Sequence, residues 1–231
     1  SGQLEFSISV IGLAPDTTEP GHTAFSHLGV NPIDKAIKII DALYQLNAAR
    51  NLRIKHEKIH KEVGRSTNLH ISNIVSNDEH RLSRLNETCT FGGAISFPPG
   101  EDLSQVKEEI ENTVKKVADN DEWLKINRPK ISWISGVTGA EVDESSLFYQ
   151  VVSSATKKIT GKMPDVNPMH TSSDIRNPII EANIPCVGLG CLGGNLSQNN
   201  NIDEWIDIND FYQMVEVTSE IDLSKLPWPS D

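Results

Sequence analysis

The feature that most constrains the fold is the spacing of apolar residues along residues 3–135. This spacing changes repeatedly between that of a strand and that of a helix. Residues Phe6–Ile11 alternate apolar and polar side chains, a pattern typical of a half-buried strand. A helix start is indicated at Asn31-Pro32, with Asn as the N-cap and Pro at the first helical position. Apolar residues then recur at helical spacing as far as Leu46, which predicts one buried helix face.

The later segments of this region extend the same alternation. Strand patterns occupy Leu69–Val75, Cys89–Phe97 and Lys130–Ile134, and a second amphipathic helix begins after Asp102. The order strand–helix–strand–strand–helix–strand is that of the split βαβ motif. It predicts a ferredoxin-like sandwich, in which two helices cover one face of a four-stranded antiparallel sheet. The charged stretch Arg50–Arg65 is interpreted as a solvated connector.

Residues 136–231 have a different pattern, which is that of an α/β protein. Helices are predicted at Ser145–Thr160, at Thr171–Ala182 and after Asn209 or Asp210. The apolar run Ile184–Leu189 predicts a strand buried on both faces. One strand cannot close a core, so this part is expected to be incomplete and to need neighbouring strands. The fold class is therefore α/β, with an α+β first domain and a boundary at 135/136.

The charge of the chain indicates which partners suit it, and its cysteine content indicates the compartment. The chain has 21 Lys and Arg against 32 Asp and Glu, a net charge of −11, which argues against nucleic acid or an anionic membrane as the main partner. No apolar run is long enough to span a bilayer. The three cysteines, Cys89, Cys186 and Cys191, form no C-x-x-C pair and indicate reduced thiols in the cytoplasm.

Two short motifs have alternative interpretations. His56-Glu57-Lys58-Ile59-His60 matches the H-E-x-x-H pattern of zinc peptidases, but the lysines and arginines around it favour a solvated connector. The run Gly188–Gly193 matches G-x-G-x-x-G, but the residues after it do not have the pattern of the helix that a dinucleotide site requires. A glycine loop that lets a ligand approach backbone N–H groups remains an alternative.

Two other candidate residues are ambiguous when taken alone. Arg176 lies two residues after Asp174 on a predicted first helical turn. It fits either a surface ion pair or a bidentate clamp for a carboxylate. His22 lies in a loop and fits either a structural or a catalytic role.

Three groups of segments together resemble the zinc-dependent aminoacylase/carboxypeptidase family, whose members include acetylornithine deacetylase and succinyl-diaminopimelate desuccinylase. The first is Gly21–Ile33, which is similar to the family segment H-S-x-x-P-x-x-G-x-N-A-I. The second is Asn68–Val75 with the later turn Pro99-Gly100-Glu101. The third is His170–Pro178, similar to a T-S-D-x-R helix, together with the glycine-rich segment Cys186–Gly194.

The resemblance implies a domain organisation and an oligomeric state. Residues 3–135 would be the family's lid, which also dimerises, and residues 136–231 would be the C-terminal segment of the catalytic domain. A homodimer through the lid is therefore expected. The segment that carries the H-x-D, bridging Asp and Glu-Glu motifs is expected to lie outside this chain, which begins at Ser1 without a start methionine or signal peptide.

The resemblance also implies roles for single residues. His22 would act on the partner protomer's site, Asn73 would bind the substrate, and Arg176 would hold a small carboxylate-bearing substrate beside Gly190 and Gly193.

A complete family member would hold two zinc ions, and no metal ligand is expected in this chain. The segment that should supply the last ligand, Asn199–Trp205, contains no histidine. The chain alone is accordingly predicted to be an inactive portion of a deacylase or peptidase of N-acyl amino acids or small peptides. The alternative is a non-catalytic module for dimerisation or ligand binding.

Overall fold

The computed structural model describes residues 1–76, 82–164, 166, 174–191 and 202–226. These residues divide into two compact units. The first unit holds Ser1–Gly139, and the second holds the described residues from Ala140 onward. Each unit is described by itself.

The first unit contains the predicted order of strands and helices, with two short helices added. Both amphipathic helices and all four strands are present, so the pattern that switches between periods of two and of 3.6 residues predicted them correctly. The elements are β1 (Gly2–Ile11), α1 (Pro32–Arg53), α2 (Glu57–Val63), β2 (Asn68–Val75), β3 (Thr88–Phe97), α3 (Leu103–Asp119), α4 (Glu122–Ile126) and β4 (Lys130–Val137).

The four strands form one antiparallel sheet in the order β2-β3-β1-β4. Burial alternates strictly along β1, where Leu4, Phe6, Ile8 and Val10 face the core. The register shifts once where β2 pairs with β3 and once where β4 pairs with β1, so both edge strands contain an irregularity. The mixed fold class with an antiparallel sheet is confirmed.

Helices α1 and α3 pack side by side on one face of this sheet. The Asn31 side chain caps α1 by accepting the Ile33 N–H at 3.1 Å, and the Asp102 carboxylate caps α3 by accepting the Ser104 N–H at 2.6 Å. Fully burying one aliphatic side chain in such a core stabilises the fold by about 1.5–3 kcal/mol. The helix residues buried in the core include Ala36, Ile39, Leu43, Val106, Ile110 and Val114.

The interpretation of Arg50–Arg65 as a solvated connector is wrong at its start. Helix α1 continues to Arg53, and its Arg50 side chain is 1% exposed. The guanidinium donates to Glu101 at 2.7 Å, to Glu109, and to the Thr67 hydroxyl at 3.3 Å. Arg50 lies two helical turns after Leu43, so it is on the same inward face of the helix. The rest of the stretch includes the short helix α2, on which Ile59 alone is buried.

The second unit is built from helices in its described residues. α5 (Leu147–Thr160) and α6 (Ile208–Glu220) pack together, burying Val152, Ala155 and Val217. Ser146 caps α5 and Asp207 caps α6, each within a few residues of the predicted start. None of the helices in the described ranges is both long and apolar enough to span a membrane.

The predicted strand Ile184–Leu189 is wrong. These residues form neither strand nor helix, and Ile184 is 52% exposed. A strand needs a hydrogen-bonded neighbour, and the described part of the second unit contains no other strand to provide one. The predicted helix Thr171–Ala182 is a π-helical turn at Asn177–Glu181 in its described part. Residues 171–173 of that prediction lie outside the described residues.

Candidate functional site

His22 lies in the long connection between β1 and α1. It is the N-cap of a 3-10 helix, Thr23–Leu28, and its Nδ1 accepts the Ala24 N–H at 3.2 Å. The ring is half-buried. The capping contact fixes the ring relative to the backbone and occupies Nδ1, so Nε2 is the ring nitrogen left for another partner.

The His22 loop is bound to the connection between β2 and β3. The two segments, Gly21–Thr23 and Ser83–Leu85, are called the clasp. The Leu85 N–H donates to the Gly21 carbonyl at 2.6 Å, and the Thr23 N–H donates to the Ser83 carbonyl at 2.8 Å. His22 and Arg84 form the antiparallel bridge between these two bonds. The clasp therefore places His22 beside the chain that leads into β3.

Asn73 lies on the edge strand β2, opposite Gly92 and immediately after the register shift. Its side chain is exposed. Near the end of β2, the Asn86 side chain donates to the Ser76 carbonyl at 3.0 Å, and the Ser76 hydroxyl donates to the Thr88 carbonyl at 2.8 Å. The end of β2 is thus tied to the segment after the clasp.

His22 and Asn73 consequently lie toward the same end of the sheet. β1 ends where Ile11 pairs with Thr88, and β2 ends where Val75 pairs with Thr90. The clasp joins this end through Leu85 and its neighbours. Asn73 lies two residues before the end of β2, and the clasp ties the His22 loop to the connection that follows that end.

The remaining predicted site residues belong to the second unit. Arg176 precedes the π-helical turn and is half-buried, and its Nη1 donates to the Asn177 side chain at 2.8 Å. Its Nε is buried and has no hydrogen-bond partner among the described residues. A Cβ built on Gly188 would lie 3.7 Å from Ile175, so the glycine segment adjoins the Arg176 turn. Gly190 is exposed and Gly193 lies outside the described residues.

The histidine pair of the H-E-x-x-H motif does not lie on one helical face. His56 is extended and caps α2, where its Nδ1 accepts the Ile59 N–H at 3.5 Å. In the described ranges no group of three or more His, Cys, Asp or Glu side chains could hold a metal ion. The described residues therefore do not fit a two-zinc centre.

Three acidic groups of the first unit that pair with cations have shifted pKa values. Burial raises the pKa of the Glu101 carboxyl, although the Arg50 guanidinium acts in the opposite direction. Burial also disfavours ionisation of Glu109, but hydrogen bonds from Arg53 and Arg50 outweigh it and lower its pKa. For Asp121, bonds from Lys38 and Lys35 likewise overcome burial and hold its pKa far below the usual range.

These groups form a structural network that the sequence interpretation missed. A signal was present in the sequence, because Arg50 lies on the inward face of a helix whose apolar residues are easily recognised. The ion pairs connect α1 to α3 and to the Pro99-Gly100-Glu101 turn. They stabilise the lid and lie apart from the clasp.

Comparison with known proteins shows what this architecture is. A family model described as a peptidase dimerisation domain matches residues 17–122, which run from the His22 loop through the start of α4. Residues 17–122 form a peptidase dimerisation domain. The family resemblance and the lid assignment made from the sequence are thereby confirmed.

Two curated relatives match most of this chain. The N-formyl-4-amino-5-aminomethyl-2-methylpyrimidine deformylase of Bacillus subtilis is 26% identical over 209 residues, which cover 87% of this chain and 46% of that protein. The succinyl-diaminopimelate desuccinylase of Pelagibacter ubique is 24% identical over 220 residues, 95% of this chain and 50% of that protein. The chain spans about half the length of these relatives.

Solved structures share the fold. Aminopeptidase PepT from Bacillus cereus matches with a TM-score of 0.65 at 15% identity, over 95% of this chain and 51% of that one. An M20 family metallo-carboxypeptidase from Sulfolobus solfataricus matches with a TM-score of 0.61 at 15% identity, over 95% of this chain and 57% of that one. Human carnosine dipeptidase 1 matches with a TM-score of 0.57 at 14% identity, over 97% of this chain and 55% of that one. At these identities the likeness shows the fold alone.

Proposed function

We propose that this chain is the lid and C-terminal part of a metal-dependent amidohydrolase that acts on N-acyl amino acids or small peptides. The observation that carries the proposal is the clasp, which ties the His22 loop to the connection that follows β2, the strand that carries Asn73. The two curated relatives support it, since one is named as a deformylase and the other as a desuccinylase. The functional division lies near residue 135, and reduced cysteines suit a cytoplasmic setting.

The lid residues bind and orient the substrate in this proposal. The His22 Nε2 donates a hydrogen bond to the oxygen that becomes negative as the amide carbonyl is attacked. The Asn73 amide donates to a substrate carbonyl, and its exposed position on the strand edge leaves it accessible. His22 reaches the site of the partner protomer, so a dimer is required for catalysis.

Arg176 provides recognition of the carboxylate. Its half-buried guanidinium has an Nε without a partner among the described residues, and with one Nη it can make two parallel bonds to a carboxylate. The exposed Gly190, together with Gly193, allows a substrate to approach backbone N–H groups closely. Metal ligation and the activation of water belong to residues outside this chain, and these 231 residues alone are catalytically inactive.

The partner is a second copy, bound on the side of the lid where α1 covers β2. α1 carries an exposed apolar stripe, Ile37, Tyr44 and Leu52, which are 48%, 45% and 80% exposed. The exposed residues of α3, on the β4 side, are all polar. Tyr44 lies midway along the stripe, so a two-fold axis beside it sets Ile37 of one protomer against the partner's Leu52. This α1 stripe is the proposed dimer surface.

A non-catalytic module for dimerisation or ligand binding is the second candidate. One observation favours it, namely that the matched family model is itself described as a dimerisation domain. Such a module would use the same α1 stripe but would not need Arg176 to bind a carboxylate. Binding of the substrate class separates the two candidates.

The function is tested by calorimetry and a hydrolysis assay on the purified chain with a panel of N-acetyl amino acids. The proposal predicts weak binding without turnover, with or without added Zn²⁺. Arg176→Lys should weaken binding by about 10- to 150-fold, because an ammonium loses one charge-assisted bond of about 1.5–3 kcal/mol. Arg65→Lys, a change at a surface arginine that bonds Asn68, is the matched control and should bind normally.

Equal affinities of the wild-type chain and Arg176→Lys would reject the clamp. No binding to either would favour the non-catalytic module. Turnover on addition of Zn²⁺ would show that the chain holds its own metal, and a His56→Ala/His60→Ala variant would then identify the ligands.

A further inference from the structure

We propose that Arg84 is a positioning residue for His22, and that the clasp holds the His22 ring as the neutral Nε2–H tautomer. The inference rests on the proposed function in one respect only, which is that the Nε2–H donor serves to bind the oxyanion. Its structural content can be tested without catalysis.

The backbone of the clasp restrains His22 from both sides. The two hydrogen bonds of 2.6 and 2.8 Å flank the bridge between His22 and Arg84. Gly21 has a φ of 76°, and a Cβ at this position would lie 3.3 Å from the Leu85 carbonyl oxygen. Only glycine adopts this conformation without strain, so the close approach of the two segments depends on it.

The Arg84 side chain adds a third restraint, on the residues just before His22. Its Nη1 donates to the Pro20 carbonyl at 2.9 Å, and its Nη2 lies 3.9 Å from the Glu19 carboxylate. On the other side of His22, the Thr23 hydroxyl donates to the Ser83 carbonyl at 2.8 Å. His22 is thus fixed by contacts on both sides of it in the chain, all of them to residues 83–85.

The orientation of the ring is set by the capping bond. The Ala24 backbone N–H is a donor whose hydrogen position is set by the chain, so Nδ1 must present a lone pair to it. In a neutral imidazole the proton then lies on Nε2, an assignment that comes from the hydrogen-bond partner. The ring therefore carries its N–H donor at Nε2 while Nδ1 stays bound to the loop.

The same segment also relates His22 to Asn73. Asn86 directly follows the clasp, and Ser76 directly follows β2. The Asn86 side-chain amide donates to the Ser76 carbonyl at 3.0 Å and to the Ser76 hydroxyl at 2.9 Å. A displacement of residues 83–86 would therefore move His22 relative to the end of the strand that carries Asn73. Arg84 is the residue of this segment whose side chain hydrogen-bonds to the chain just before His22.

The test is NMR of the 231-residue chain near pH 8, where an ordinary imidazole is neutral. The ring nitrogens of His22 are identified by their absence in His22→Gln. The wild-type chain should show the Nε2–H form. In Arg84→Ala the ring should show a mixture of tautomers, and the amides of Ala24 and Leu85 should exchange up to about tenfold faster, as expected for losing one net hydrogen bond. Arg84→Lys, which keeps the charge, should lie between the two.

The matched control is Arg128→Ala, which removes a surface arginine that pairs with Asp119 at 2.6 Å. It should leave the His22 ring and both amides unchanged. Faster exchange in Arg84→Ala must be confined to residues 19–24 and 83–86. Uniform acceleration through β1 and β3 would indicate a general loss of stability and would overturn the positioning role. An Nδ1–H ring in the wild-type chain, or an unchanged ring in Arg84→Ala, would overturn it as well.

Failure of the positioning role can be distinguished from failure of the proposed function. A clasp that behaves as described, in a chain that binds no N-acetyl amino acid, rejects the function and leaves the positioning role intact. A chain that binds the carboxylate through Arg176 while Arg84→Ala leaves the His22 ring unchanged rejects the positioning role alone.

Discussion

At the scale of single residues, Arg50 ties α1 to α3 and to the turn before it through buried ion pairs. Its guanidinium is almost fully buried and bonds to Glu101, Glu109 and Thr67. Removing Arg50 leaves Glu101 without its cation, although Glu109 keeps Arg53, and breaking a buried ion pair costs about 3–5 kcal/mol. Arg50→Ala should therefore lower the free energy of unfolding by about that amount in urea titrations.

Arg53 provides a matched control for this prediction. It also bonds Glu109, at 2.5 Å, but its side chain is 57% exposed. An exposed pair contributes about 0–1 kcal/mol, so Arg53→Ala should change stability little. Comparable losses in the two variants would show that burial does not determine the strength of this network.

Asp121 links stability to pH. Its carboxylate is buried and accepts bonds from Lys35, Lys38 and the backbone of α4. Its pKa is lower in the folded than in the unfolded state, where it is about 3.9. The stabilisation is therefore fully present above that unfolded value and is lost as the pH falls toward the folded one.

Asp121→Asn should consequently destabilise the chain by about 1.5–3 kcal/mol at neutral pH, the value of a hydrogen bond to a charged group. The difference from the wild-type chain should shrink below about pH 4. Thermal unfolding across this range measures it. A difference that stayed constant down to about pH 2 would exclude the linkage.

At the scale of elements, the strength of the local pattern decides what the sequence can predict. β1 was predictable because its burial alternates without interruption. α3 was predictable from its Asp102 cap and its evenly spaced apolar face. Ile184–Leu189 was not, because strand formation depends on a neighbouring strand and not on the run itself.

The candidate site was predictable only in part, for a similar reason. His22, Asn73 and Arg176 could be singled out from motifs, but their chemical roles remain predictions. That His22 and Asn73 lie at one end of the sheet depends on contacts between residues 21–23 and 83–85, which are distant in sequence. No periodic pattern marks Ser83–Leu85, so the clasp and the role of Arg84 emerged only from the structure.

The α1 stripe gives the prediction that belongs to this scale. Tyr44→Glu places a charge at the centre of the proposed dimer surface, where each copy faces the other across a two-fold axis. It should weaken dimerisation by at least about tenfold, since two charges are desolvated together. Gln105→Glu, on the exposed face of α3, is the control and should dimerise normally. Sedimentation analysis compares them, and equal dissociation constants would remove α1 from the interface.

At the scale of the whole molecule, the two units differ in how well their described residues close a core. The first unit surrounds a continuous apolar cluster between sheet and helices. The second buries only a few apolar side chains among its described residues, namely Val152, Ala155 and Val217. This contrast supports the proposal that the second unit is one part of a larger catalytic domain.

The most direct test of the account is the mass of the wild-type chain in solution, because the proposed action of His22 on a partner requires two copies. Light scattering at high micromolar concentration should give twice the chain mass of 25.5 kDa. A mass of 25.5 kDa that does not change with concentration would contradict the assignment of the lid as a working dimerisation domain.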